Sequence, residues 1–321
     1  TEYWGISEKS MMNDWMLRLR RMTARKIPFV SEADQALRHI NMSSMRVLGV
    51  LSDQRDERSI VGLDIIGACS YAVRHVPIPD PAALCYKQGA SCSPDDPEQS
   101  GFYCIEVQAL KYRIAPPIPV RTAQGCFVAE PSYPFSLWIH SSEWGIWSTL
   151  FDCTIAHGYE AAAIEHPLWR VAEKVHQQRM DGTDPNAKAL LSSLHTSMGS
   201  RWTKDNESIT RSIWSTHHMP LAWVRGEWLR QWHRVSEAYP SALLCYANVD
   251  SMHWSIDRAE YTKKPFLTSK EWGRWRVEFE GQRGMWLSVG KYWILKDNTV
   301  HVYKNAGSSS PWRTKVRHRV D

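Results

Sequence analysis

Residues 241–254 read SALLCYANVDSMHW. An apolar run ends at Tyr246 and gives way to a turn. The turn carries one carboxylate, Asp250, with Asn248 two positions before it. Asn and Asp favour turns because their side chains hydrogen-bond the local backbone. Taken alone, the stretch is an ordinary hairpin connection. It also has the makings of half a metal site whose other half lies elsewhere in the chain.

Working outward, residues 59–73, SIVGLDIIGACSYAV, form an apolar run broken by a single acid, Asp64. The pattern predicts a buried strand that delivers Asp64 at its C-terminal end, then a turn into a short helix. Residues 7–22 have helical spacing with a basic face. Residues 80–101 are rich in Pro, Gly, Ser and Asp and are expected as loop. Residues 102–110 alternate like a strand, and 114–121, IAPPIPVR, are an extended Pro segment. Residues 126–166 predict strand, strand, helix, strand, the helix opening at Ser141-Ser142-Glu143 and stopping at Gly158. Residues 168–202 predict two helices split by DGTDPN, the first ending in Arg179 and the second starting after Pro185 and carrying Lys188. Residues 221–239 predict an amphipathic helix, and 273–281, 284–297 and 299–307 short strands. The order is mixed α/β, and two acids from distant segments can meet on one sheet.

Composition narrows the class. The chain has 321 residues, 43% hydrophobic and 23% charged, as in soluble globular proteins of several subdomains. Its 17 tryptophans suit base stacking and a bulky core equally. The net charge of +5, with basic clusters at 17–26 and 313–319, is compatible with phosphate contact and with two solvated ends. Seven cysteines, an odd count without a CxxC pair, argue for reduced thiols in a cytoplasmic protein. The N-terminus lacks the apolar core of a signal peptide, and no apolar run reaches the roughly 18–20 residues of a membrane span. His217, His218 and the cysteines read as packing or surface residues, because no third ligand has suitable spacing.

The motifs resemble the polymerase portion of a family B DNA polymerase, of the compact phage, plasmid and viral type. The family's DxxSLYP resembles DIIGACSYAV from Asp64, its KxxxNSxYG resembles KALLSSLHTSMG from Lys188, and its YxDTDS resembles YANVDS from Tyr246. IPVR, FSLWIHSSEWGIW and HGYEAAAIEH resemble the palm segment between the first two motifs. VEFEG, GKYWILKD and YKNAG resemble the strands around the lysine–tyrosine element. The likeness spans roughly residues 55–310, in the family's order.

The resemblance implies a right-hand polymerase core: a palm sheet, helical fingers and a small C-terminal β or thumb region. Its divisions are a basic helical segment (1–54), palm (55–166 and 217–262), fingers (167–216) and a reduced thumb or primer-contact region (263–321). It implies template-directed DNA synthesis with two Mg²⁺ ions, or Mn²⁺ as a substitute, held by Asp64 and Asp250. Lys188 and Arg179 are the implied triphosphate contacts, with Cys69 and Tyr71 near the sugar. Tyr246, Lys291, Tyr292 and Lys304 are implied contacts of the DNA. Primer-template DNA and dNTPs are the implied partners, along with a terminal protein or other replication proteins. Asn248 replaces the first acid of the third motif, and Cys69 replaces the first-motif tyrosine. Ser192 and His195 replace the Asn and Tyr of the second motif, and GKYW departs from lysine–x–tyrosine spacing. About sixty residues precede Asp64, too few for a proofreading domain within this chain. Two rivals stand beside synthesis: an inactive descendant that binds primer-template or a replication partner, and a Trp-rich structural or virion protein.

Overall fold

The structure is a computed structural model. It describes residues 8–27, 29–40, 46–118, 120–121, 127–128, 132–194, 203–204, 207–208, 213–288 and 290–305. His195 with the end of the second motif, Cys126 and the basic cluster 313–319 lie outside the described residues.

The chain begins with helices α1 (Glu8–Lys26) and α2 (Glu32–Ala36), then strands β1 (Arg46–Leu48), β2 (Ser52–Asp53) and β3 (Arg58–Ile65). Helix α3 (Ala68–His75) precedes β4 (Ile78–Pro79), β5 (Cys85–Gln88), β6 (Gln99–Leu110), β7 (Val120–Arg121), β8 (Phe127–Val128) and β9 (Phe135–His140). Then come α4 (Ser141–Leu150), β10 (Phe151–Ile164), α5 (Trp169–Met180), α6 (Ala187–Ser193), β11 (Thr203–Lys204) and β12 (Glu207–Ser208). The long α7 (Trp214–Ala238) leads to β13 (Leu243–Asn248), β14 (Ser251–Asp257), α8 (Arg258–Lys263), β15 (Trp275–Gly281), β16 (Arg283–Ser288), β17 (Lys291–Lys296) and β18 (Thr299–Asn305). The fold is mixed α/β, as the sequence predicts. Among the described residues no helix is long and apolar enough to cross a membrane, and no cysteine forms a disulfide.

The chain divides into two compact units. One comprises Thr1–Ser43, Gly67–Ala115 and Ser132–Gly226; the other comprises Ser44–Ile66, Pro116–Pro131 and Glu227–Asp321.

The first unit is built on an antiparallel sheet in the order β4-β10-β6-β9, with β5 also paired to β10. Phe102, Ile105, Val107, Ile139, Trp147 and Phe151 are fully or almost fully buried in it. Helix α4 opens at His140, whose backbone N–H donates to Glu143 Oε2 (2.9 Å). Glu143 in turn takes both forks of Arg225 on α7, at 2.6 and 2.8 Å. Helix α4 stops at Leu150, eight residues before Gly158, and so the predicted helix end is corrected. Residues 151–157 continue as β10 because aromatic and β-branched side chains pair along β6. Gly158 is a site of close approach: a Cβ there would lie 2.6 Å from the Tyr103 ring and 2.8 Å from the Phe102 carbonyl oxygen. The predicted loop at 80–101 also holds β5 and the start of β6.

Helix α7 begins at Trp214, seven residues before its predicted start. Asp34 caps it from another segment, accepting from the backbone N–H groups of Trp214 (2.9 Å) and Ser215 (3.0 Å). Pro220 lies inside the helix and has no N–H for the Thr216 carbonyl. His166 fills the gap. Its Nδ1 accepts from Leu168 N–H (3.1 Å), which leaves the proton on Nε2, 3.4 Å from the Thr216 oxygen.

The second unit contains the antiparallel sheet β1-β13-β14-β3-β15 and a second sheet, β18-β17-β16-β2. Strand β3 is flanked by β14 and β15. Gly62 on β3 leaves room for the Phe279 ring, which a Cβ would meet at 2.3 Å. Ile60, Cys245, Tyr246, Phe279, Trp286, Tyr292 and Ile294 form a buried cluster.

Candidate active site

Strand β3 delivers Asp64 one residue before its end, where the sheet pairs it with Ser251 on β14 and Arg276 on β15. Strands β13 and β14 close a hairpin in which Asn248 pairs with Ser251, so Val249 and Asp250 form the turn. Ile65 N–H donates to the Asp250 carbonyl oxygen (3.0 Å). Asp250 therefore lies at the strand end beside Asp64, and the two acids named from the sequence are brought together in one unit.

The electrostatics record that neighbourhood. Burial raises the Asp64 carboxyl to about 6, helped by the negative charges of Asp250 and Glu278 and opposed by Arg276. Arg276 Nη2 donates to Asp64 Oδ2 at 2.9 Å. Arg276 Nε is buried and has no partner among the described residues.

Beneath this edge lies an aromatic floor. Tyr246 is 1% exposed, its ring stacked on His253 (4.5 Å) and 5.1 Å from that of Tyr292. Its hydroxyl accepts from Gly290 N–H (3.0 Å), which ties the turn before Lys291 to β13. Burial raises the Tyr246 hydroxyl, while its bonds to Gly290 and the Asn248 side chain pull it down. His253 Nδ1 accepts from Trp286 Nε1–H (2.8 Å), and burial holds the imidazole neutral. Tyr292 is 3% exposed, its hydroxyl raised by burial and then by the charge of Glu278. Lys304 Nζ lies 5.8 Å from the Tyr292 ring centroid, and Lys291 and Lys304 are exposed.

The other residues named from the sequence belong to the first unit. Gly67, in the left-handed region at φ +62°, starts α3. Helix α3 carries Cys69 and Tyr71, both half-buried. The Tyr71 ring lies 4.3 Å from that of His75 and 5.1 Å from that of Trp223. Helix α3 packs on α5 and α6, with Arg74 bonded to Glu173 at 3.0 Å and set over the Trp169 ring. Arg179 is half-buried in the last turn of α5, and Lys188 is exposed in the first turn of α6. Thus α3 and the α5–α6 hairpin meet, as Asp64 and Asp250 do.

Sequence reasoning missed Arg276, Glu278, His253 and the bond from Asn248 to Tyr246. The available signal was alternation in GRWRVEFEG, which sets Arg276 and Glu278 two apart on a strand. Among the described residues no group of three or more His, Cys, Asp or Glu side chains is arranged to hold a metal. The oxygen donors of Asp64 and Asp250 still suit a hard divalent cation. Mg²⁺ is commonly bound by one or two carboxylates, with water and substrate phosphates completing the shell.

No protein-family model matches the chain, and no curated protein matches it. Among solved structures, the chain is similar to phi29 DNA polymerase complexed with primer-template DNA and incoming nucleotide substrates. The TM-score is 0.71 at 15% identity over 97% of this chain. The same polymerase complexed with single-stranded DNA gives 0.68 at 15%, and its orthorhombic crystal form 0.67 at 14%. The chain spans 62% of the length of the first of these. At this identity the likeness is one of architecture: the chain shares the fold of that polymerase over 62% of the polymerase's length.

Proposed function

We propose that the chain is the core of a template-directed DNA polymerase that joins nucleotides at Asp64 and Asp250. The observation carrying this reading is that the Asp250 turn abuts the strand end bearing Asp64, with the charge of one acid acting on the other. Two Mg²⁺ ions, or Mn²⁺ in their place, would activate the primer 3′-hydroxyl and stabilise the leaving pyrophosphate. Asp64 and Asp250 would hold them through carboxylate oxygens. Lys188 and Arg179 meet the triphosphate, Arg179 with the forked geometry that Lys lacks. Lys291 and Lys304 neutralise primer phosphates, and Tyr246 and Tyr292 support that surface from beneath. Cys69 and Tyr71 border the sugar. Palm, fingers and thumb follow the divisions at 55–166 with 217–262, 167–216 and 263–321. The DNA and nucleotides bound by the phi29 polymerase support the same partners here.

Primer extension with Mg²⁺ or Mn²⁺ tests this. The parent should extend a primer, and Asp64→Asn or Asp250→Asn should each lower the rate by roughly 10²–10³ or more. Extension unaffected by either change refutes the assignment. Asn248 and Cys69, where the family has acid and tyrosine, favour a second reading: a non-catalytic chain that binds primer-template. Salt-sensitive DNA binding without incorporation by the parent would select it.

A further inference from the structure

Arg276 holds Asp64 differently from the way two other arginines of this molecule hold their acids. Arg225 grips Glu143 with two N–H groups, and Arg55 grips Asp53 through Nε (3.0 Å) and Nη2 (2.6 Å). Forked pairs of this kind are the strong, geometrically fixed ones. Arg276 gives Asp64 a single bond, from Nη2 at 2.9 Å, and its Nε is buried without a partner among the described residues. The contact is also open to solvent, with the Arg276 side chain 40% exposed and that of Asp64 20%. A single, exposed, end-on contact exchanges more readily than a buried fork. It also sits where negative charge gathers, because Asp250 and Glu278 both act on Asp64.

We propose that Arg276 holds the Asp64 carboxylate in the metal-free protein and yields it to a divalent cation, so that arginine and cation compete for one oxygen and Arg276 sets the metal concentration at which the site fills. This rests on Asp64 and Asp250 being metal ligands. The competition has two causes. A cation held through Asp64 Oδ2 would need the lone pair that Nη2 now engages. A guanidinium and a divalent ion a few ångströms apart also repel. In the metal-free state the arginine opposes part of the repulsion that Asp250 and Glu278 exert on Asp64.

The test is Mn²⁺ binding to the DNA-free protein, followed by the loss of the free-ion paramagnetic resonance signal. Arg276→Met and Arg276→Gln should each bind Mn²⁺ about tenfold more tightly than the parent, since a nearby positive charge has been removed. Arg276→Lys, which keeps the charge, should stay close to the parent. If the neutral variants bind no more tightly while Asp64→Asn and Asp250→Asn still abolish binding, the inference is overturned and the metal site stands. If binding is indifferent to Asp64 and Asp250 in every background, the metal site fails and the inference falls with it. A second measurement needs no substitution at Arg276 to fold. In the parent with ¹⁵N-labelled arginine, saturating Mg²⁺ should move the Arg276 side-chain resonance toward that of a solvated guanidinium. A resonance that stays in place overturns the inference.

Discussion

Val249, immediately before Asp250, has φ +54°, a left-handed conformation that a β-branched side chain adopts only under strain. The two-residue turn forces it, because Asn248 and Ser251 are already paired. Val249→Asn should raise stability by roughly 1 kcal/mol, since Asn tolerates this region; an unchanged or lower urea midpoint would refute the strain. Two residues on α3 carry a second prediction. In the resembled family a tyrosine beneath the sugar excludes ribonucleotides, and here that position aligns with Cys69. On the proposed function, a smaller floor removes an exclusion, so the parent should use ribonucleotides better than Cys69→Tyr, by about tenfold. Equal discrimination by both proteins would transfer the gate to Tyr71, whose ring the contacts with His75 and Trp223 fix. The acids at 64 and 250 were legible because each closes an apolar run, a pattern that survives without context. Arg276 was not, because its meaning depends on a strand partner 212 residues away.

Elements were legible where their signals are local. The strand-to-helix passage through Gly67 and the helical break at DGTDPN come from adjacent residues, and the structure has both. Helix α7 shows the opposite case. Its first turns contain Pro220 and paired histidines, which argue against a helix, yet Asp34 and His166 supply from other segments the acceptor and donor the local sequence lacks. Gly158 misled for a related reason: a glycine that ends a helix and one that admits a neighbouring ring look alike until the neighbour is known. The bond from His166 to the Thr216 carbonyl gives a test. His166→Leu leaves that buried oxygen unmatched and should destabilise the protein by roughly 1–3 kcal/mol. The same urea midpoint as the parent would show that the carbonyl needs no donor.

Across the whole molecule, buried histidines set the response to acid. Burial lowers His140 and His218 to about 3 and His166 to about 4, and holds His253 well below its ordinary value. Unfolded histidines take up protons near pH 6.5. Between that value and about pH 4 the unfolded chain binds more protons, so stability is fully present above pH 6.5 and declines as pH falls. Each such histidine contributes up to about 1.4 kcal/mol per pH unit. Asp64, raised to about 6, and Asp34, also raised by burial, work the other way over the lower part of this window, two acids against these four histidines. The denaturation midpoint should fall steadily from pH 7 to pH 5, and a flat profile would contradict the burial of these rings. The mixed α/β class was legible from the order of periodic segments, but the pairing of strands was not, since β3 takes both its neighbours from the last third of the chain. That topology has a consequence during synthesis. At roughly 5–20 residues per second, the strand bearing Asp64 leaves the ribosome on the order of ten to forty seconds before β15 is made. Until β14 is made an apolar strand has both edges unpaired, and until β15 is made it keeps one, so a chain released early would present it to proteases, chaperones and other copies of itself.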